Sequence, residues 1–237
     1  MIRDAVWRAG SDGIVIGLSG GIDSAVSAAL CCRALPPSRI LGLALPSAVS
    51  PKEDTEDAKA LALLMGMDFS EIDISKVIAA YRDIPGFEES PYLLGNLMAR
   101  TRMAVLYYYA NRMGRIVCGT SNRTEYLLGY CTKHGDAAAD IQPILHLYKT
   151  EVYQVATDLG IPDKIINKIP SAGLWHGQED EREIGLSYDR IDAALIALAS
   201  QGFSPQTPDE EKVLSYVAQS THKRVPPPNL LITEGSD

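Results

Sequence analysis

The hexapeptide Ser19-Gly20-Gly21-Ile22-Asp23-Ser24 concentrates the residue types that hold a phosphate. Two adjacent glycines allow backbone turns that a Cβ would obstruct, so main-chain N–H groups can approach an anion closely. A helix starting here would add free N–H groups and the positive end of its dipole. Ser19 and Ser24 supply hydroxyl donors, and Asp23 is suited to holding a magnesium ion between phosphates. The lysine of a GxxxxGK[ST] loop is absent, so this is not a Walker cradle. A bare Gly-Gly turn would be read as structural; its flanks decide for phosphate.

Such a loop needs a strand before it and a helix after it. Ile14–Leu18 is a continuous apolar run rich in β-branched residues, which predicts a strand buried on both faces. A helix is expected over Ala25–Leu35, stopped by Pro36-Pro37, and a second buried strand over Ile40–Leu45. Pro51 can open the next helix, whose first turn carries Glu53, Asp54, Glu56 and Asp57, the charge favoured there. It runs to Gly66, with a third strand over Phe69–Ile74. Leu93–Met113 reads as a long helix with one apolar stripe, and Ile116–Gly119 as the next strand. Further helices are expected over Lys149–Leu159, Ser187–Ala199 and Glu210–Gln219.

Strands alternating with helices predict an α/β fold, a doubly wound, mainly parallel sheet with helices on both faces. In that fold ligands bind at the carboxyl ends of the strands, where the hexapeptide falls. No repeat or linker divides the chain, so one domain is expected over residues 1–237.

The four cysteines form no CxxC pair and read as reduced thiols. His134, His146 and His176 lack the spacing of a metal site. The first residues lack the apolar core of a signal peptide, and Gly13–Leu18 is too short to span a bilayer. The expected setting is therefore cytoplasmic, with no membrane partner. A formal charge of −8 argues against a nucleic-acid surface but leaves room for a local basic pocket.

The hexapeptide resembles the signature of ATP pyrophosphatases, enzymes of the adenine nucleotide alpha hydrolase-like fold that cleave ATP between the α- and β-phosphates. The acceptor is indicated by the middle of the chain. Gly95-Asn96-Leu97-Met98-Ala99-Arg100-Thr101-Arg102-Met103 resembles a GNxxARxRM segment of NAD synthetases. Gly119 to Glu125 resembles their GTxNxxE segment, and Gly129 to Asp136, continuing through Asp140 to Pro143, their GYxTKxGD pattern. Pro170 to Trp175, with Gln178, Asp180-Glu181, Glu183 to Gly185 and Tyr188, resembles a mobile loop over their active site. His222-Lys223-Arg224 matches a further segment.

The resemblance implies adenylation of the carboxylate of deamido-NAD by ATP, then displacement of AMP by ammonia. The implied ATP site comprises Gly17, Leu18, Ser19, Gly20, Gly21, Ile22, Asp23, Ser24, Thr120, Lys149 and Ser171. Asp23 and Glu125 would hold the magnesium ion that accompanies ATP. A cation at the start of a helix opposes the helix dipole, so Lys149 needs a nearby anion. Asn96, Arg100, Lys133, Asp136, Asp140, His222 and Lys223 are the implied contacts for deamido-NAD. Arg100 and Lys133 would meet its phosphates or its carboxylate. Asp136 or Asp140 would fix a ribose hydroxyl or the nicotinate end, and at least one of them would orient a donor or bind ammonium. Asp23, Lys149 and Asp136 are the implied catalytic set.

The resemblance further implies a homodimer to which the long helix contributes, and Tyr107-Tyr108-Tyr109 reads as packing or dimer contact. Ala44 stands where single-domain, ammonia-dependent enzymes carry an arginine against adenine, and Leu45 to Ser50 is closer to glutamine-dependent ones. Ammonia is therefore expected either free or from a separate glutaminase subunit. A tRNA-thiolating enzyme would need a cysteine pair and a basic surface. A non-catalytic nucleotide sensor would not need Glu125, Lys133 and Lys149 together.

Overall fold

The structure, a computed structural model, describes residues 1–175 and 177–229. Four strands, β1 (Ile14–Gly17), β2 (Ile40–Ala44), β3 (Asp68–Glu71) and β4 (Ile116–Cys118), form one sheet in the order β3-β2-β1-β4. Every pairing is parallel, with Ile14 opposite both Ile40 and Ile116. A bridge from Cys118 to Ile141 extends the β4 edge.

Alternation along the strands divides the core. Ile14, Ile16, Ile40 and Ala44 pack with Ala28, Cys31, Ala58 and Ala62, contributed by helices α2 (Ile22–Ala34) and α3 (Lys52–Met65). Val15, Leu41, Leu43 and Val117 face the other way, onto Met98 and Ala110 of a long helix, Pro91–Arg112. With α1 (Ile2–Arg8) and α4 (Ser75–Ala80) ahead of it, that helix is α5. Burial on both faces explains the continuous apolar runs in β1 and β2.

After β4 come α6 (Arg123–Leu128), α7 (Lys149–Leu159) and α8 (Asp163–Ile166), then α9 (Asp180–Ile184), α10 (Tyr188–Ser200), α11 (Pro208–Gln219) and α12 (Thr221–Arg224). Leu128, Ile184, Ile191, Leu195 and Val213 bind α6, α9, α10 and α11 into a separate apolar cluster. Among the described residues no helix is long and apolar enough to cross a membrane.

The doubly wound plan holds, with three local corrections. Helix α2 begins at Ile22 rather than Ala25, so Asp23 and Ser24 lie in its first turn. Strand β3 ends at Glu71, although Ile72 and Ile74 still donate N–H bonds to Ala44 and Pro46. Helix α5 begins at Pro91 rather than Leu93, with Tyr92, Leu93 and Tyr108 exposed outside its buried face. Helices α1, α4, α6, α8, α9 and α12 were not anticipated; each has four to seven residues, too few to establish a 3.6-residue period.

Candidate active site

The chain leaves β1 for one side of the sheet and reaches β4 on the other, so a switch point lies between β1 and β4. Loops leaving adjacent strands there diverge and open a crevice at their carboxyl ends. The glycine-rich loop Ser19–Ser24, expected to hold phosphate, forms one wall. The segment from Thr120 to Glu125 forms the other.

Close packing requires the glycines of the loop. Gly20 has φ +75°, and a Cβ there would lie 2.4 Å from the carbonyl oxygen of Asp54. Ser24 ties the loop together, accepting from Ser19 N at 3.2 Å and donating to Gly21 O at 2.9 Å. Ser19 Oγ accepts from Gly21 N at 3.2 Å.

Across the crevice, Asn122 caps α6 through a reciprocal pair. Its Oδ1 accepts from Glu125 N, and Glu125 Oε2 accepts from Asn122 N. The amide Nδ2 of Asn122 then donates to Asp23 Oδ1 at 2.9 Å. One buried asparagine thus fixes both acidic side chains. Lys149, at the first position of α7, joins them: its Nζ lies 2.5 Å from Asp23 Oδ2 and 3.8 Å from Glu125 Oε1. The lysine is 2% exposed. The anion that its helix position demands is present, in duplicate.

Burial opposes charge on Lys149, but Asp23 and Glu125 outweigh it and raise its pKa, so the ammonium is kept. Burial raises the Glu125 carboxyl and Asp23 raises it further, to about 8, against the pull of Lys149. Two carboxylates share one lysine, which leaves a negative surplus when both are ionised. Among the described residues no cluster of three His, Cys, Asp or Glu side chains is arranged to hold a metal. Two carboxylates nevertheless suit magnesium, which takes one or two from the protein and completes its shell with water and phosphate oxygens.

Asp180, which is buried, closes the same region. It accepts from Tyr130 Oη at 3.2 Å, Tyr188 Oη at 3.1 Å and Ala172 N at 3.1 Å. The last bond places Ser171 at the root of the segment expected to cover the site. Gln178 holds that segment inward, accepting from Leu174 N and donating to Glu183. Leu174 rests on Gly95 of α5, where a Cβ would sit 2.9 Å from that of Leu174. Trp175 and Leu174 line a cavity of about 360 Å³ with Ser47, Val49 and Met98. The ring of Tyr188 faces Lys149 Nζ at 5.1 Å.

The residues expected to hold the second substrate fall into two connected sets. Arg100 Nε donates to Lys133 O at 3.3 Å, and Lys133 Nζ to His222 O. Asn96 lies one turn before Arg100 on α5 and donates back to Tyr92 O. Lys223 donates to Gly129 O and Cys131 O, both at 2.7 Å, from beside Asp136. Asp136 is exposed by surface area, with neighbouring protein atoms crowded around its carboxyl. Burial raises its carboxyl against the N–H of Thr132 and the charges of Lys223 and Arg102. Asp140 is placed differently: Oδ2 accepts from Val117 N at 2.7 Å and Oδ1 from Tyr107 Oη at 3.4 Å, at the β4 edge. Tyr108 is exposed beside it in sequence, so the three tyrosines do not act alike. His176 lies outside the described residues.

Residues 1–227 match the family model described as NAD synthase. The chain belongs to that family. It is 59% identical over 231 residues to an NH3-dependent NAD+ synthetase of Methanoregula boonei, covering 98% of this chain and 93% of the relative. Among solved structures, the NMN synthetase of Francisella tularensis superposes with a TM-score of 0.88 at 38% identity, over 96% of this chain and 93% of that one. The NH3-dependent NAD synthetase of Campylobacter jejuni, in complex with nitrate ion, gives 0.83 at 32% identity, over 97% and 93%.

Three residues that support this site have no role in the sequence reading. Asn122 carried a legible signal, the Asn-x-x-Glu spacing of a capping box before an apolar turn. Asp180 stood inside the segment resembling the family's mobile loop without a role of its own, and Asp192 carried no signal, because each meets its partners only through tertiary contact. Asp192, on α10, accepts from Thr124 Oγ1 at 2.5 Å and Thr150 N at 2.9 Å, while Thr124 Oγ1 accepts from Lys149 N at 2.9 Å.

Proposed function

We propose that this chain forms NAD from deamido-NAD, Mg-ATP and ammonia, with release of AMP and pyrophosphate. The observation carrying this reading is the meeting of Asp23, Glu125 and Lys149 at 2.5 and 3.8 Å beside a phosphate loop, at a switch point. Membership of the NAD synthase family supplies the acceptor, and the Methanoregula relative supplies ammonia as the nitrogen source.

A carboxylate is a poor electrophile, so it must first be activated. In the first step a carboxylate oxygen of deamido-NAD attacks the α-phosphorus of ATP. The bond to the β-phosphate bridging oxygen breaks, and pyrophosphate leaves. Lys149 and the N–H groups opening α2 stabilise the negative charge of the phosphates. Asp23 and Glu125 would hold magnesium, which would neutralise charge on the phosphates. Thr120, Ser171 and the backbone from Gly17 to Ser24 seat the nucleotide.

In the second step ammonia nitrogen attacks the activated carbonyl carbon, the carbon–oxygen bond to AMP breaks, and the nitrogen loses one proton. Asp136, its carboxyl raised by burial, is the acceptor we assign to that proton. Asp140 is already committed to Val117 N and orders the β4 edge. Arg100, Lys133, His222 and Lys223, with Asn96, bind deamido-NAD. Closure of the loop around Ser171–Glu183 would exclude water, which would otherwise hydrolyse the adenylate.

The Francisella structure favours one specific alternative, amidation of nicotinate mononucleotide. Both are tested by supplying Mg-ATP and ammonium chloride with either acceptor, and glutamine in place of ammonium. NAD and AMP formed in equal amounts from deamido-NAD and ammonium support the proposal. Amidation of the mononucleotide alone supports the alternative, and no AMP with either acceptor refutes both.

A further inference from the structure

Lys168 lies outside all the residues given a role above, yet its ammonium reaches the back of the phosphate loop. Nζ donates to Gly20 O at 3.4 Å and Asp57 Oδ2 at 2.8 Å, and pairs with Asp54 Oδ1 at 2.6 Å. Three oxygens therefore surround one ammonium: one on the loop Ser19–Ser24 and two in the opening turns of α3. The residue itself stands three positions before Ser171. Loop, helix α3 and the root of the 171–179 segment meet at one cation.

The geometry at Gly20 gives the contact its consequence. Gly20 O belongs to the same peptide plane as Gly21 N–H, and in a trans peptide the two point in opposite directions. Gly21 N–H faces Ser19 Oγ, on the side of the loop away from Lys168. Gly20 has the left-handed conformation that glycine tolerates freely, so nothing intrinsic to it prevents this peptide from rotating. Rotation would present a carbonyl oxygen to the phosphates in place of a donor. The grip on Gly20 O opposes it.

Two aspartates keep the cation in place. Asp57 is buried and receives Lys164 on Oδ1 at 2.6 Å as well as Lys168 on Oδ2. Lys164 shares this partner and sits on α8, four residues away, but its other contact is Glu53 at 3.7 Å, on the surface. It has the same charge and the same carboxylate, without the loop.

We propose that Lys168 is a positioning residue for ATP: it orients the Gly20–Gly21 peptide and couples the phosphate loop to the root of the segment bearing Ser171. This rests on the ATP-dependent reading of the site, and binding is measured apart from turnover so that the two fail separately. The full chain is compared with Lys168→Met, Lys168→Arg and Lys164→Met. ATP binding is read by calorimetry, both KM values from NAD formation, and cleavage at residues 171–179 by limited proteolysis with and without ATP. Lys168→Met is expected to weaken ATP binding and raise its KM roughly tenfold, the scale of one charge-assisted hydrogen bond. The KM for deamido-NAD should stay within about twofold, and ATP should protect the 171–179 segment less. Lys168→Arg should recover most of the affinity, and Lys164→Met should match the wild type. Equal ATP affinity in folded Lys168→Met, or an equal loss in Lys164→Met, overturns the proposal. Should Lys168→Met melt too early to assay, failure of Lys168→Arg to differ from wild type by less than threefold overturns it instead. Wild-type binding of ATP without NAD formation would refute the reaction while leaving Lys168 testable by calorimetry.

Discussion

Replacing Asp192 with alanine tests whether Lys149 is set in place by a carboxyl that never reaches the crevice. Asp192 is 2% exposed and receives two donors, Thr124 Oγ1 and Thr150 N, while Thr124 in turn receives Lys149 N. Alanine leaves the hydroxyl of Thr124 and the second N–H of α7 without acceptors. Each such loss costs about 1–3 kcal/mol, and relief from burying a carboxyl offsets part of the sum, so about 3–4 kcal/mol is expected. Asparagine keeps an acceptor for Thr150 N and loses the Thr124 donation plus a negative group at a helix N-terminus, about 1–2 kcal/mol in all. Urea denaturation followed by circular dichroism measures both, with unchanged slope expected. In the fraction that stays folded, the alanine variant should also turn over more slowly, because Lys149 N loses a fixed partner. Equal losses in the two variants, or less than about 0.5 kcal/mol for alanine, would refute the reasoning.

Three further outcomes follow from the same geometry. Lys149→Met should lower kcat by about 10²–10³-fold, as removal of one preorganised donor does, with far-ultraviolet dichroism unchanged; a drop below threefold removes it from the phosphate chemistry. Gly20→Ala combines a positive φ with a Cβ 2.4 Å from Asp54 O, so calorimetry should find ATP binding lost, and preserved affinity would show that the loop can shift. Burial alone would raise Asp57, but bonds from Lys164 and Lys168 outweigh it and hold its pKa below the usual value. A depressed carboxyl contributes stability that is complete above its unfolded pKa, ~4, and is lost as pH falls through the folded value. Urea midpoints between pH 6 and 3 should thus fall less steeply for Asp57→Asn than for wild type, and parallel curves would remove the pair from the acid response.

The order of strands and helices was legible because burial on both faces writes continuous apolar runs, as in Ile14–Ile16 and Ile40–Leu43. The phosphate loop was legible because its chemistry is local: Gly-Gly, two hydroxyls and a carboxylate within six residues, before a helix. Asn122 and Glu125 were nearly so, since a capping box spans one turn. The short helices were not, having fewer residues than two periods of the pattern that would reveal them.

Pairings across the chain belonged to the fold alone. Nothing in the neighbourhood of Lys149 shows that its ammonium is buried against Asp23, 126 positions earlier. Asp136 and Asp140 look alike in sequence, four residues apart, yet one accepts from Thr132 N beside Lys223 while the other bonds the edge of β4. Lys164 and Lys168 share a carboxylate, and only the second reaches Gly20. The sequence sets which groups exist and which turns they favour, through forces acting over a few residues. Distance between remote groups depends on how the sheet twists and its loops diverge, so charge, burial and pKa at the crevice were decided only when the chain packed.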